Sequence, residues 1–152
     1  EQIQEFAENN GLEFDIDGRD IELSFESNAG VVVSISFDLD DVKGMRDLAD
    51  ILFDKSMSVD IDDHIKSEMG ISGGPDIESI INTYGRDDEA WTATFGDDCD
   101  YDRAVELRDD AYEVRGELDR LSLKAGEKHR ELEKEEREQE KGKDKKDKGI
   151  DR

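Results

Sequence analysis

Two short stretches concentrate the residue types that hold metal ions or move protons. Glu13-x-Asp15-x-Asp17-Gly18 sets oxygen ligands at alternate positions ahead of a glycine, as in the first half of an EF-hand calcium loop. The second half is missing, because Ser24 stands at the twelfth position, where that loop needs a bidentate glutamate. The flanks read as strands, so these acids belong to the wet face of a hairpin. The second stretch, Gly96-Asp97-Asp98-Cys99-Asp100-Tyr101-Asp102, crowds four carboxylates and a thiol into seven residues. Aspartates just before a helix are favoured by its dipole and cap its free amides, which accounts for most of them without a bound ion. A metal-dependent enzyme built on these acids is the weaker reading. One cysteine with the isolated His64 and His129 is no zinc ligand set, and four neighbouring acids oppose thiolate formation at Cys99. The glycines of Gly70-Ile71-Ser72-Gly73-Gly74 are not followed by Lys-Ser or Lys-Thr, and no dinucleotide fingerprint or nucleophile elbow occurs. No catalytic residue, metal or cofactor is assigned, and a non-enzymatic protein is expected.

The elements that position these acids follow from periodicity. Ile3, Phe6 and Ala7 mark a short amphipathic helix stopped by Gly11. Leu12, Phe14 and Ile16 alternate with acids up to the turn signal Asp17-Gly18, and Ile21, Leu23 and Phe25 resume the alternation. A turn at Asn28-Ala29-Gly30 leads to Val31, Val33, Ile35 and Phe37, which completes a three-stranded meander. Asp38, Asp40 and Asp41 are placed to cap a helix carrying Val42, Met45, Leu48, Ala49 and Leu52. Val59 to Met69 reads as a further helix, and Pro75 to Gly85 as another with Pro75 at its start. Trp91, Ala93 and Phe95 alternate with threonines and suggest a fourth strand. The expected fold class is α+β: a small antiparallel sheet covered by helices, with a long C-terminal helix.

That helix runs from Tyr101 to Leu132 and carries Ala104, Leu107, Ala111, Val114, Leu118, Leu121 and Ala125 at alternating steps of three and four. The seam has two readings: the alanines let the helix lie close against its own sheet and helices, or the seam from Ala104 to Leu121 pairs with a second copy in a coiled-coil homodimer. A parallel dimer would oppose Asp110 to Arg115, which helps, and Arg103 to Arg108, which does not. Past Glu127 the composition collapses to charged residues, so a solvated helix fraying into disorder is expected. The organisation is one acidic domain, residues 1–121, and a charged helical extension, residues 122–152.

Charge carries the functional content. Residues 1–121 hold 34 acids and 10 bases, whereas residues 122–152 hold 10 acids and 11 bases. Such a body repels nucleic acid and anionic membranes, so its partner is expected to be a basic protein. Single Cys99 and the lack of an apolar signal or spanning stretch point to a reducing cytoplasm. On the meander, Glu13, Asp15 and Asp17 share the outward face with Asp20, Glu22 and Glu26, with about 6.6 Å between residues two apart on a strand. That interval is comparable to the spacing of successive phosphates along a nucleic-acid strand. Asp97, Asp98, Asp100, Asp102, Asp109, Asp110, Glu113 and Glu117 add acid on and before the long helix. Halophile proteins are also acidic and lysine-poor, as this body is with 3 lysines, but Lys141, Lys143, Lys145, Lys146 and Lys148 in the tail run against that account.

In size, acidity, α+β pattern and lack of enzyme motifs, residues 1–121 resemble in type the small acidic inhibitors of phages and mobile elements, including anti-CRISPR and anti-restriction nucleic-acid mimics. The resemblance implies a viral, stoichiometric inhibitor in the host cytoplasm that fills the DNA or RNA groove of a nuclease such as a CRISPR effector. The alternative is a dimeric phage structural, scaffold or adaptor protein without mimicry.

Overall fold

The computed structural model describes residues 2–84, 88–96 and 99–150, with side chains at 2–83, 89–96 and 99–139. The fold is α+β, in the order α1 (Gln2–Asn9), β1 (Glu13–Asp17), β2 (Asp20–Glu26), β3 (Val32–Asp38), α2 (Met45–Met57), α3 (Ile61–Met69), α4 (Ile77–Tyr84), α5 (Asp88–Phe95) and α6 (Tyr101–Ile150). The strands form one antiparallel sheet in the order β1-β2-β3. Gly18, at φ 62°, takes the first central position of the two-residue turn that sets Asp17 opposite Asp20. Between β3 and α2 the aspartates cap only a 3₁₀ turn, Leu39–Asp41, with Asp38 Oδ1 accepting from the Asp40 amide at 2.8 Å. The expected helix from Asp38 therefore starts late, at Met45.

Buried side chains form two clusters joined along α6. The inner face of the sheet, α1 and α2 surround Val114, Leu118, Leu121 and Ala125. Helices α3, α4 and α5 surround Ala104, Leu107 and Ala111. Small residues on α6 permit this close approach, and polar bonds fix its register on α2: Ser56 Oγ donates to Asp119 Oδ1 at 2.7 Å, and Ser122 Oγ donates to the Ala49 carbonyl at 2.8 Å.

Two expectations are corrected. The seam Ala104, Leu107, Ala111, Val114, Leu118 and Leu121 is buried inside its own chain, at most 4% exposed, so it offers no surface for a dimer. The same face of α6 stays packed beyond Leu121, with Ala125 fully buried and Leu132 against the first cluster. Finally, Trp91 to Phe95 is helical and not a fourth strand: Trp91 and Phe95 sit one turn apart with ring centroids 4.7 Å apart, and Tyr101 packs edge-on against Trp91 at 5.2 Å. A smaller shift concerns α4, where Asp76, and not Pro75, makes the capping bond to the Ser79 amide at 3.0 Å.

Candidate acidic interface

The sheet register decides which carboxylates meet. On the outward face β1 and β2 place Asp15 opposite Glu22 and Asp17 opposite Asp20, and β2 and β3 place Asp20 opposite Asp38. Three like-charge pairs thus face one another directly, an arrangement that opposes sheet formation. Serines fill most of the remaining outward positions, with Ser24 opposite both Glu13 and Ser34, and Ser36 opposite Glu22. Glu13, Asp15, Asp17, Asp20, Glu22 and Glu26 are all exposed, and among the described residues none of their side chains has an ion-pair or hydrogen-bond partner. Arg19, in the tight turn, is held away by Asp40 at 2.8 Å. The result is a patch of uncompensated negative charge on a sheet whose inner side chains Ile21, Leu23, Val33 and Ile35 are buried, while Ile16 at the hairpin end stays 47% exposed.

The acids of α6 are placed differently. Asp110 is only 3% exposed. Its Oδ2 accepts from Ser27 Oγ at 2.7 Å and lies 2.9 Å from His64 Nε2, while its Oδ1 accepts from the Ala29 amide at 3.1 Å. Asp110 therefore leaves the proposed surface and becomes the tie that fastens the β2–β3 turn and α3 onto α6. The trio of serine, histidine and aspartate is not a nucleophilic relay. The serine proton goes to the aspartate and no imidazole nitrogen is positioned to take it, while Ser27 Oγ also accepts from the Val31 amide at 3.0 Å.

Asp109 pairs with Arg108 at 3.2 Å, and Glu117 grips Arg120 with both oxygens, at 2.5 and 3.0 Å. Glu113 accepts from the Asn28 side-chain amide at 2.8 Å. Together with Glu26, Glu113 and Glu117 border a cleft of about 380 Å³ that links the hairpin acids to the helix. Asp100 caps α6, its Oδ1 accepting from the amides of Asp102 and Arg103 at 3.0 and 3.4 Å, and Asp102 is exposed in the first turn. Asp97 and Asp98 lie outside the described residues. The expected single surface thus separates into an unpaired hairpin patch and a helix whose acids mostly serve the chain's own caps and ion pairs.

Burial, and secondly the charge of Asp100, push the Cys99 thiol above its ordinary pKa, with a smaller opposing contribution from Trp91. Neighbouring acid was the expected cause, but burial is the larger one. Among the described residues, no group of three or more His, Cys, Asp or Glu side chains is placed to hold a metal ion, and no helix is long and apolar enough to cross a membrane. Asp38 is the residue that strand patterning alone misses, since only the β2–β3 register brings it beside Asp20. Comparison with known proteins finds no matching family model, no similar curated protein and no similar solved structure.

Proposed function

We propose that this chain is a non-enzymatic acidic inhibitor that occupies the nucleic-acid groove of a basic protein, such as a CRISPR-effector or restriction nuclease, with carboxylates standing where phosphates bind. The observation that carries this reading is the outward hairpin face, where six exposed acids have no side-chain partner among the described residues and like charges stand directly opposed. Charge-assisted bonds from arginine and lysine would relieve that repulsion on binding. The same field would steer the encounter.

The test is titration of the chain against a basic nuclease over a range of salt concentrations, compared with a variant neutralised at Glu13, Asp15, Asp17, Asp20, Glu22 and Glu26. Binding that weakens steeply with salt and is lost in the variant supports the reading. A variant that binds as well as the parent refutes it. A second reading, a scaffold or adaptor whose charge only keeps it dissolved, draws on the exposed carboxylates spread over α2 and α3, including Asp50, Asp54 and Asp63. It forecasts no complex at any salt concentration.

A further inference from the structure

The free edge of β3 adds a directional feature to the charge. Ser27 donates its amide to the Val31 carbonyl at 2.8 Å, and Leu39 donates its amide to the Arg19 carbonyl at 2.7 Å. These two bonds bracket the β2–β3 ladder and fix its phase. Residues 33, 35 and 37 therefore turn their backbone groups toward β2, and Val32, Ser34 and Ser36 turn theirs outward. Among the described residues, nothing bonds to those outward amides and carbonyls.

A groove of about 300 Å³ runs beside the N-terminal half of this edge, walled on its far side by the end of α2 and by α3. Val32 stands 66% exposed at its mouth. The far wall carries Asp60, Asp63 and Glu68 beside Lys55, while on the adjoining sheet face Glu26 and Glu22 stand one strand behind Val32 and Ser36, and Asp38 lies at the C-terminal end of the edge itself.

We infer that the β3 edge is a strand-addition site that takes an extended segment of the basic partner, with lysine or arginine at alternate residues. The cationic side chains of an added strand lie over the acidic sheet face, and the alternate, small or apolar ones enter the groove beside Val33 and Val59. The charge decides against a second copy of the chain, because pairing two β3 edges would bring two acidic faces together. This inference rests on the proposed basic partner and supplies what charge alone lacks, a fixed register.

The probe is a capped heptapeptide of alternating lysine and valine, compared with the same peptide N-methylated at the residues whose amides face one edge. Methylation keeps the charge and removes the donors. Expected are binding of the parent peptide, affinity about tenfold or more weaker for the methylated form, and slowed hydrogen exchange at the amides of Val32, Ser34 and Ser36. Ser34→Pro, which removes an outward amide that bonds to nothing among the described residues, is expected to have the same effect as methylation. If the methylated peptide binds equally and the three amides stay unprotected, strand addition is overturned while the basic-partner reading stands. If neither peptide nor any basic nuclease binds, both fall. Concentration-dependent dimers without peptide, abolished by Ser34→Pro, would assign the edge to a second copy and likewise overturn the inference.

Discussion

Asp20→Asn is expected to stabilise the protein, although it deletes a charge from the surface where function is proposed. Asp20 faces Asp17 on one side and Asp38 on the other. Directly opposed side chains on adjacent strands lie about 5 Å apart, and two unit charges at that distance in water repel by about 0.8 kcal/mol. Screening over a Debye length of about 8 Å at physiological salt removes roughly half of this. With two pairs relieved and no change of shape, the gain is about 0.5–1 kcal/mol. It should grow in dilute buffer and vanish near 1 M salt, where the Debye length is about 3 Å. Urea denaturation at low and high salt measures it as a rise in midpoint with unchanged slope. A variant that is less stable than the parent, or a gain independent of salt, would show that Asp20 is compensated locally and refute the description of this face.

Other outcomes follow from particular contacts. Asp15→Lys creates a Lys–Glu pair with Glu22 and is expected to stabilise by up to about 1 kcal/mol while weakening binding to a basic nuclease, measured by denaturation and titration side by side. Asp110→Asn removes the charge from three buried hydrogen bonds and should cost about 2–4 kcal/mol, seen as a lower urea midpoint; a neutral result would remove Asp110 as the tie between elements. Leu118→Asp places a charge in the first cluster and should abolish cooperative unfolding by circular dichroism, whereas a variant that stays folded and is monomeric where the parent sediments as a dimer would restore the dimer-seam reading. Because the Cys99 thiol is held above its ordinary pKa, its thiolate is scarcer at a given pH; alkylation should be slower than for a small thiol near pH 8, and Asp100→Asn should speed it only partly, since burial is the larger cause.

Much of the fold was legible because its signals are local. The acid–apolar alternation through Leu12, Phe14 and Ile16, with a glycine at the turn, leaves little choice but a hairpin, and the helix spacings of Ile3 to Ala7 and Ile61 to Ile65 are similarly plain. Trp91, Ala93 and Phe95 misled because five residues fit either period; ring packing between Trp91, Phe95 and Tyr101, invisible to pattern, decides for the helix. The α6 seam reads identically whether its partner is the same chain or another. What settles it is how many other apolar faces need cover, and here the sheet, α2 and α3 use it up. Of the candidate site, the hairpin acids were legible from alternation alone. Asp110 was not, since a charged residue between Asp109 and Ala111 looks solvated until Ser27, Ala29 and His64 arrive from distant segments to satisfy it.

The outer sheet face is free to be unfavourable because the inner face fixes the pairing. Ile21, Leu23 and Ile35 are at most 2% exposed, and burying each contributes about 1.5–3 kcal/mol. A slip of β2 by one residue would turn both Ile21 and Leu23 to the outer face, so the register withstands the roughly 1 kcal/mol of repulsion opposite it. Folding therefore places almost no demand on which residues occupy the outer positions. Lysine opposite glutamate would serve the sheet better than Asp15 opposite Glu22 or Asp17 opposite Asp20. A cationic partner laid across these opposed pairs would relieve the repulsion that the sheet itself leaves unrelieved, which is the physical link between this register and the proposed contact.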